Sequence, residues 1–168
     1  MRIYPNLYTK KVTDLSYEYL KENNIKGLIL DVDNTLLDFD LKIIDGLELW
    51  AKKLKDQGIK LVILSNSNKT EKVKMVGELL DIPYEKFATK PLKRGYKKAH
   101  KILDIPNENI GVVGDQIFTD VIGANRCKMY SILVEPIAKK DIWITRFKRP
   151  IENFIIKRYL KKINGENK

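Results

Sequence analysis

Two reactive side chains are scarce in this sequence. Its 168 residues include one cysteine, Cys127, and one histidine, His100. A single cysteine excludes an intramolecular disulfide bond and a cysteine-rich metal cluster. Cys127 lies in an apolar and basic stretch without an obvious general base to activate it. This favours a packing role over a nucleophilic one. His100 falls in a predicted helix, far from the end of any predicted strand, so we expect no catalytic role for it.

Long apolar runs are also missing. None approaches the roughly 18 residues that a membrane-spanning helix needs, and the first residues lack the apolar region of a signal peptide. The sequence contains no internal repeat and no low-complexity linker. Its length fits one domain with one substantial core. We therefore expect residues 1–168 to form a single cytoplasmic domain.

Negative charge is scarce at one end of the chain. The formal net charge is +10. Residues 139–168 contain ten basic residues and only three acidic ones. These residues are predicted to form a basic C-terminal extension on a nearly neutral body. The asymmetry indicates contact with a polyanionic surface, which the charge pattern leaves open as a membrane, a nucleic acid or an acidic protein.

An apolar run followed by two carboxylates organises the chain. Residues 28–30 are continuously apolar, as in a buried strand of a parallel sheet, and Asp31 and Asp33 lie just beyond them. Ligands of open α/β sheets bind at the carboxyl ends of strands. Two acids this close repel each other unless they share a cation. The stretch therefore predicts a metal site, with an acidic helix-capping turn as the alternative.

Strand and helix patterns alternate through the rest of the chain. Apolar runs predict four further strands, at residues 59–64, 87–89, 110–114 and 129–134. Helical spacing predicts helices that begin at Gly46, at a capping box from Asn68 to Glu71, and at Pro91, with Leu92 facing inward. The alternation predicts an α/β fold, a doubly wound Rossmann-like parallel sheet of about five strands with helices on both faces.

Four predicted strand ends carry polar groups suited to phosphate. These groups are Asp31 and Asp33 after the first strand, Ser65 and Asn66 after the second, Lys90 after the third, and Asp115 with Asp120 after the fourth. In a doubly wound sheet these ends converge on one crevice. Each group alone also fits a solvated surface residue. Four in order, each after an apolar strand, predict a phosphate site.

In these motifs the sequence resembles the haloacid dehalogenase (HAD) superfamily, whose doubly wound fold it is expected to share. The second acid, Asp33, is similar to the phosphatase and phosphotransferase branch. Asn34, the Ser-Asn pair at 65–66 and the Lys-Pro pair at 90–91 are similar to subclass III. Gln116 departs from the pattern, because many relatives place a second acid directly after the first in the fourth motif.

Looser features resemble one family within this superfamily. Tyr4-Pro5 and residues 145–150 are similar to the YqeG-type phosphatases, which are related to the mitochondrial phosphatidylglycerophosphate phosphatases. Residues 33–65 and 65–90 leave no room for an inserted cap domain. We therefore expect one capless domain with an open site, and the resemblance implies a large substrate or a cover supplied by a partner or a surface.

The resemblance implies a role for each motif residue. It implies that Asp31 is the nucleophile and that Asp33 is first the acid and then the base. Lys90 is expected to neutralise charge on the nucleophile and the phosphoryl group. The Ser65 hydroxyl and the Asn66 backbone N–H are expected to hold phosphoryl oxygens.

Mg²⁺ is the cofactor that the resemblance implies. Its expected ligands are the side chains of Asp31 and Asp115 and the backbone carbonyl of Asp33. Asp115 is then the sole direct ligand from the fourth motif. Thr35 and Asp120 are expected to support the ligands without binding the ion.

The C-terminal extension contains an amphipathic pattern. Written as a helix from Pro150, it has an apolar face of Ile155, Ile156, Tyr159, Leu160 and Ile163. Its opposite side carries Lys157, Arg158, Lys161 and Lys162. Such a helix can lie in a membrane interface, with Trp143, Phe147 and Phe154 as anchors, or it can pack on the sheet. The pattern is compatible with both.

The leading hypothesis is a Mg²⁺-dependent phosphomonoester hydrolase that forms an aspartyl-phosphate. An anionic phospholipid, phosphatidylglycerophosphate, is its leading substrate, and the basic tail then contacts the inner face of the membrane. One alternative is a phosphatase of a soluble, nucleic-acid or protein phosphate. Another is a basic nucleic-acid- or ribosome-binding module with a vestigial site. No RNA-binding signature accompanies the tail, so nucleic acid is the less favoured partner.

Overall fold

A fully parallel sheet forms the centre of the molecule. The computed structural model describes residues 3–138 and 149–166. In these residues the strands are β1 (Leu7–Thr9), β2 (Gly27–Leu30), β3 (Lys60–Leu64), β4 (Tyr84–Glu85), β5 (Ile110–Gly114) and β6 (Tyr130–Val134). They pair in the order β1-β6-β5-β2-β3-β4. The predicted doubly wound sheet is confirmed, with β1 as a sixth strand that its half-buried residues did not reveal.

Helices cover both faces of this sheet. They are α1 (Tyr17–Glu22), α2 (Leu47–Asp56), α3 (Thr70–Leu80), α4 (Lys93–Leu103), α5 (Ile122–Arg126) and α6 (Arg149–Glu166). A π-helical turn (Ile117–Val121) leads directly into α5. Along the described residues, every helix is too short or too polar to traverse a bilayer.

The central strand β2 contributes side chains to two cores. Leu28 and Leu30 belong to the cluster that includes Val76 of α3, whereas Ile29 belongs to the cluster that includes Ala99 of α4. Side chains of a strand alternate between the faces of its sheet. A strand that is covered on both faces is therefore apolar at every position, which is the pattern of residues 28–30.

One predicted strand lies at a different position. Residues 87–89 were expected to form it, but Tyr84 and Glu85 pair with β3 instead. Phe87 and Thr89 have φ angles of 52° and 53°. Such left-handed backbone conformations interrupt an extended strand.

Two helices begin later than predicted. The prediction of a capping box from Asn68 to Glu71 is wrong, because no side chain caps α3. The Asn68 carbonyl instead accepts a hydrogen bond from Thr70 N in a turn before the helix. The prediction that α4 begins at Pro91 is also wrong. Leu92 has an extended backbone that precedes the first helical residue, and its side chain is 55% exposed instead of facing inward.

Helix α6 packs its apolar face on the sheet beside β6. Ile155, which is 9% exposed, clusters with Ile117 and Leu133. Tyr159 stacks on Tyr4 with 6.1 Å between the ring centroids. Of the two alternatives for this face, the structure shows packing on the sheet for Ile155 and Ile156, whereas Ile163 is exposed. The predicted anchors Trp143 and Phe147 lie outside the described residues.

Neighbouring residues of α6 give a test of this packing. Ile155→Ala is expected to lower the free energy of unfolding by about 2 kcal/mol, because it leaves a cavity between α6 and the sheet. Phe154→Ala is the matched control, since Phe154 is 60% exposed and its loss is expected to change stability by less than about 0.5 kcal/mol. Urea unfolding measures both values, and equal effects of the two substitutions would contradict the packing.

Candidate active site

The predicted site residues meet at the carboxyl edge of the sheet. Asp31, Ser65 and Asp115 follow β2, β3 and β5, which are adjacent parallel strands. Asp31 N donates to the Val113 carbonyl (2.9 Å) and Ser65 N to the Glu85 carbonyl (3.0 Å), so each residue is fixed to the neighbouring strand. The convergence that the motif order predicted is therefore present.

A buried lysine joins two of the carboxylates. Lys90 Nζ lies 2.5 Å from Asp31 Oδ1 and 2.7 Å from Asp120 Oδ1. Its side chain is only 3% exposed, and a charge at this depth is stable only when it is paired. Burial favours loss of the Lys90 proton, but the carboxylates of Asp120 and Asp31 outweigh it and raise the pKa of Lys90. Lys90 is therefore a fixed cation against Asp31.

The side chain of Asn66 holds the backbone of Lys90. Its Oδ1 accepts a hydrogen bond from Lys90 N (2.7 Å), and its Nδ2 donates to the Lys90 carbonyl (3.1 Å). The phosphate role predicted for Asn66 concerns its backbone N–H, and the structure leaves that prediction untested. The clamp on Lys90 was missed because the two residues are 24 positions apart, so no local pattern reveals it.

The turn after β5 positions Asp120. A Cβ atom at Gly114 would lie 2.2 Å from Asp120 Cγ, so only glycine leaves room for this carboxylate. Oδ2 of Asp120 accepts hydrogen bonds from Gln116 N (3.3 Å) and Thr119 Oγ1 (3.1 Å). With Oδ2 held by the turn, Oδ1 contacts Lys90. Asp120 therefore contacts Lys90 with one oxygen while its other oxygen stays bound within its own turn.

The loop after β2 is fixed at two points. Thr35 Oγ1 donates a hydrogen bond to Asp31 Oδ2 (3.3 Å). Asn34 adopts a φ of 61°. Its Oδ1 accepts from Ala138 N (2.8 Å) and its Nδ2 donates to the Ala138 carbonyl (3.1 Å). The chain after β6 is thus attached to the loop that carries Asp33.

Three buried carboxylates can hold a metal ion. Ligand oxygens of Asp31, Asp115 and Asp120 all lie within 4.8 Å of one another, and an all-oxygen set is what hard divalent cations prefer. Burial raises the pKa of Asp31 to about 7; Lys90 opposes this rise, and Asp120 and Asp115 add to it. A bound cation favours the ionised carboxylate, so these residues fit a divalent cation.

Asp33 pairs with a residue that the sequence reasoning missed. Its Oδ1 accepts a hydrogen bond from Lys72 Nζ, and the lysine side chain is mostly buried. Burial lowers the pKa of Lys72, and the charge of Asp31 opposes that shift. A lysine among several on a predicted helix is usually solvated. Its place in the first turn of α3, directly after the Ser65-Asn66 loop, was the available signal.

The fold is shared with a HAD-type phosphatase of known structure. A HAD phosphatase from Thermococcus onnurineus has the same fold, with a TM-score of 0.52 and 22% identity. The match covers 61% of this chain and 51% of that one. It shows the shared fold alone, and the assignment to phosphatases depends on the sequence relatives.

The family is shown by sequence. Residues 1–138 match the family model described as mitochondrial PGP phosphatase, and the chain belongs to this family. A relative named probable phosphatase YqeG, from Bacillus subtilis (strain 168), is 39% identical over 90% of this chain and 88% of its own length. The chain is therefore a phosphoric monoester hydrolase of the HAD type.

A more distant relative carries a substrate in its name. Phosphatidylglycerophosphate phosphatase 1, chloroplastic/mitochondrial, from Arabidopsis thaliana, is 26% identical over 95% of this chain. The chain spans about half of that protein, 49% of its length.

Lys72 gives a test of the contact with Asp33. Lys72→Met keeps most of the apolar stem and removes the charge, and hydrogen bonds to charged groups contribute about 1.5 to 3 kcal/mol. We expect kcat/KM for p-nitrophenyl phosphate to fall by about 10- to 100-fold. Lys74→Met is the matched control, because Lys74 lies on the same helix and contacts Glu78. Wild-type kcat/KM in Lys72→Met would contradict a role for the contact.

Proposed function

We propose that the chain hydrolyses a phosphomonoester through an aspartyl-phosphate on Asp31, and that its substrate is phosphatidylglycerophosphate. The observation that carries the reaction is the buried contact of Lys90 with Asp31 at 2.5 Å. A carboxylate that approaches a phosphate dianion is repelled, and a fixed cation beside it offsets that repulsion. Lys90 is too deeply buried to serve as a surface charge, which supports a role in the chemistry.

The first step transfers the phosphoryl group to the protein. An oxygen of Asp31 forms a bond to phosphorus while the bond from phosphorus to the alcohol oxygen breaks. Lys90 balances the negative charge, and Ser65 Oγ and Asn66 N donate hydrogen bonds to phosphoryl oxygens. Protonated Asp33 gives its proton to the departing alkoxide.

The second step releases inorganic phosphate. Asp33, now ionised, takes a proton from a water molecule, whose oxygen attacks phosphorus as the bond to Asp31 breaks. The step regenerates the Asp31 carboxylate and the protonated Asp33. The neighbouring Lys72 stabilises the ionised form of Asp33 that this step requires.

Mg²⁺ is the proposed cofactor. The side chains of Asp31 and Asp115 and the backbone carbonyl of Asp33 would hold it, and Thr35 and Asp120 would orient Asp31 and Lys90 around it. When bound, the ion screens the charge between a carboxylate nucleophile and a phosphate dianion. The buried carboxylates of Asp31 and Asp115, whose oxygens lie close together, support this choice.

Thermal unfolding tests the cation directly. Mg²⁺ at 100 times its Kd is expected to stabilise the protein by about 2.7 kcal/mol, which raises Tm by about 5 to 10 °C. At one fixed Mg²⁺ concentration, the rise in Tm is expected to be larger at pH 8 than at pH 6, because Kd is lower at pH 8. Below the pKa of about 7 Asp31 is mostly protonated and the cation must displace its proton, whereas above it the carboxylate is already ionised. Asp115→Asn should remove most of the rise, and equal Tm values with and without Mg²⁺ at pH 8 would contradict the site.

An open site supports a lipid substrate. Residues 33–65 and 65–90 lie within the described part of the chain and contain loops with α2, β3, α3 and β4, but no cap domain. A phosphate at a membrane surface can approach such an edge without a lid. The family match and the name of the Arabidopsis relative add independent support.

Phosphate release from mixed micelles tests the substrate. We expect kcat/KM for phosphatidylglycerophosphate to exceed that for glycerol 3-phosphate, which presents the same phosphomonoester without the lipid, by at least about tenfold. Nucleotides and sugar phosphates are the further soluble comparisons. Turnover of soluble esters alone would indicate a phosphatase of soluble substrates. No turnover of any ester would favour the nucleic-acid- or ribosome-binding module.

A variant of the proposed nucleophile tests the mechanism. Asp31→Asn is expected to lower turnover by about 10⁴-fold or more while circular dichroism shows the wild-type fold. Asp45→Asn is the control, because Asp45 is an exposed acid in the same loop. Retained activity in Asp31→Asn would refute the assignment of the nucleophile.

A further inference from the structure

Exposed apolar side chains are concentrated at the catalytic edge. Eleven large apolar side chains are exposed among the described residues. Six of them lie in loops after strands or at the start of α6, and we call them the docking rim: Leu41, Phe87, Leu92, Ile137, Ile151 and Phe154. The other exposed apolar residues lie within helices. Apolar side chains gathered around one opening indicate a contact surface more than scattered ones do.

The topology places the loop residues of the rim around one opening. Leu41 follows β2, Phe87 and Leu92 follow β4, and Ile137 follows β6. All these strands are parallel, so the loops leave the sheet at the same edge. Lys90 lies between Phe87 and Leu92 in sequence. The exposed side chains therefore flank the residues of the site.

A buried contact brings the start of α6 to the same edge. Glu152 Oε1 accepts a hydrogen bond from Phe118 N (3.2 Å), and Phe118 is three residues beyond Asp115. Ile151 and Phe154 lie on either side of Glu152 in the first turns of α6. They are exposed although the opposite face of α6 packs on the sheet. These two residues are thus held beside the loop that carries Asp115.

Positive charge surrounds Phe87 and Leu92 and the α6 part of the rim, whereas Leu41 and Ile137 lie near the exposed acids Asp40 and Glu135. Phe87 and Leu92 are flanked by exposed Lys86, Lys93 and Arg94, and residues 86–94 contain no acid. On α6 the exposed cations are Lys157, Arg158, Lys161 and Lys162, and the only acid in residues 150–163 is the buried Glu152. Cations beside exposed apolar groups are the pattern of proteins that bind anionic lipid interfaces.

We propose that the docking rim binds an anionic phospholipid bilayer and that the bilayer covers the open catalytic edge. The apolar side chains enter the interface between headgroups and acyl chains, and the flanking lysines and arginines contact lipid phosphates. The face of α6 that the sequence pattern offered to a membrane packs on the sheet through Ile155, with Ile156 and Tyr159 half-buried, so binding uses its opposite side. The benefit of this placement for catalysis rests on the proposed lipid substrate, whereas binding itself does not.

Vesicle flotation with the full chain tests the docking rim. The probe is a phosphatidylcholine vesicle with roughly one-third phosphatidylglycerol, which contains no phosphomonoester. Leu92→Ser with Phe154→Ser is expected to lower the partition coefficient by at least about tenfold, because two apolar groups no longer enter the interface. The matched control is Leu49→Ser with Met75→Ser, which removes two exposed apolar side chains from α2 and α3 and should leave the partition coefficient unchanged. Both double variants should keep wild-type turnover of p-nitrophenyl phosphate.

The outcomes separate docking from substrate. Failure of the wild type to float, or equal losses in the two double variants, would overturn the docking rim even if phosphatidylglycerophosphate is hydrolysed in micelles. A selective loss in Leu92→Ser with Phe154→Ser would support the rim, including in the case that this lipid is not a substrate. In that case the proposed function fails and the docking surface stands.

Discussion

The pairing of Lys90 with Asp31 and Asp120 is the interaction on which the site depends. A lysine this deep cannot be solvated, so its carboxylate partners must be positioned to within hydrogen-bond distance. Asn66 holds its backbone, and Gly114 leaves the space that Asp120 occupies. Residues that never contact a substrate are therefore required for the charge balance around the proposed nucleophile. Burial raises the pKa of Asp31, Lys90 opposes that rise, and the carboxylates of Asp120 and Asp115 add to it, so the site fits a cation.

The parallel sheet concentrates function at one edge. The loops after β2, β3, β4 and β5 carry the site residues, and the loop after β6 borders the opening. The proposed chemistry uses the buried part of this edge, and the proposed membrane contact uses its exposed rim. Without a cap domain in residues 33–90, a bilayer is a surface that can exclude water while a lipid phosphate reaches Lys90 and Asp31. The proposed hydrolysis and the proposed docking then both take place at the carboxyl edge of the sheet.

Much of the fold and of the site could be predicted because the signals are local. The apolar run before Asp31 and the order of polar groups at successive strand ends indicated the sheet and its functional edge. Short elements were harder, since β1 and β4 have two or three residues and no apolar run. The left-handed residues Phe87 and Thr89 also carry no sequence signature that distinguishes them from strand residues.

By itself, the sequence determined which chemical groups the protein has and in which order they follow the strands, because hydrophobic periodicity and motif spacing are local properties of the chain. Only the tertiary structure decided which groups touch. The clamps of Asn66 on Lys90 and of Asn34 on Ala138, and the pair of Lys72 with Asp33, join residues that are 24, 104 and 39 positions apart. The buried face of α6 was decided in the same way. Contacts at such separations depend on how layers pack, and no local pattern encodes that packing.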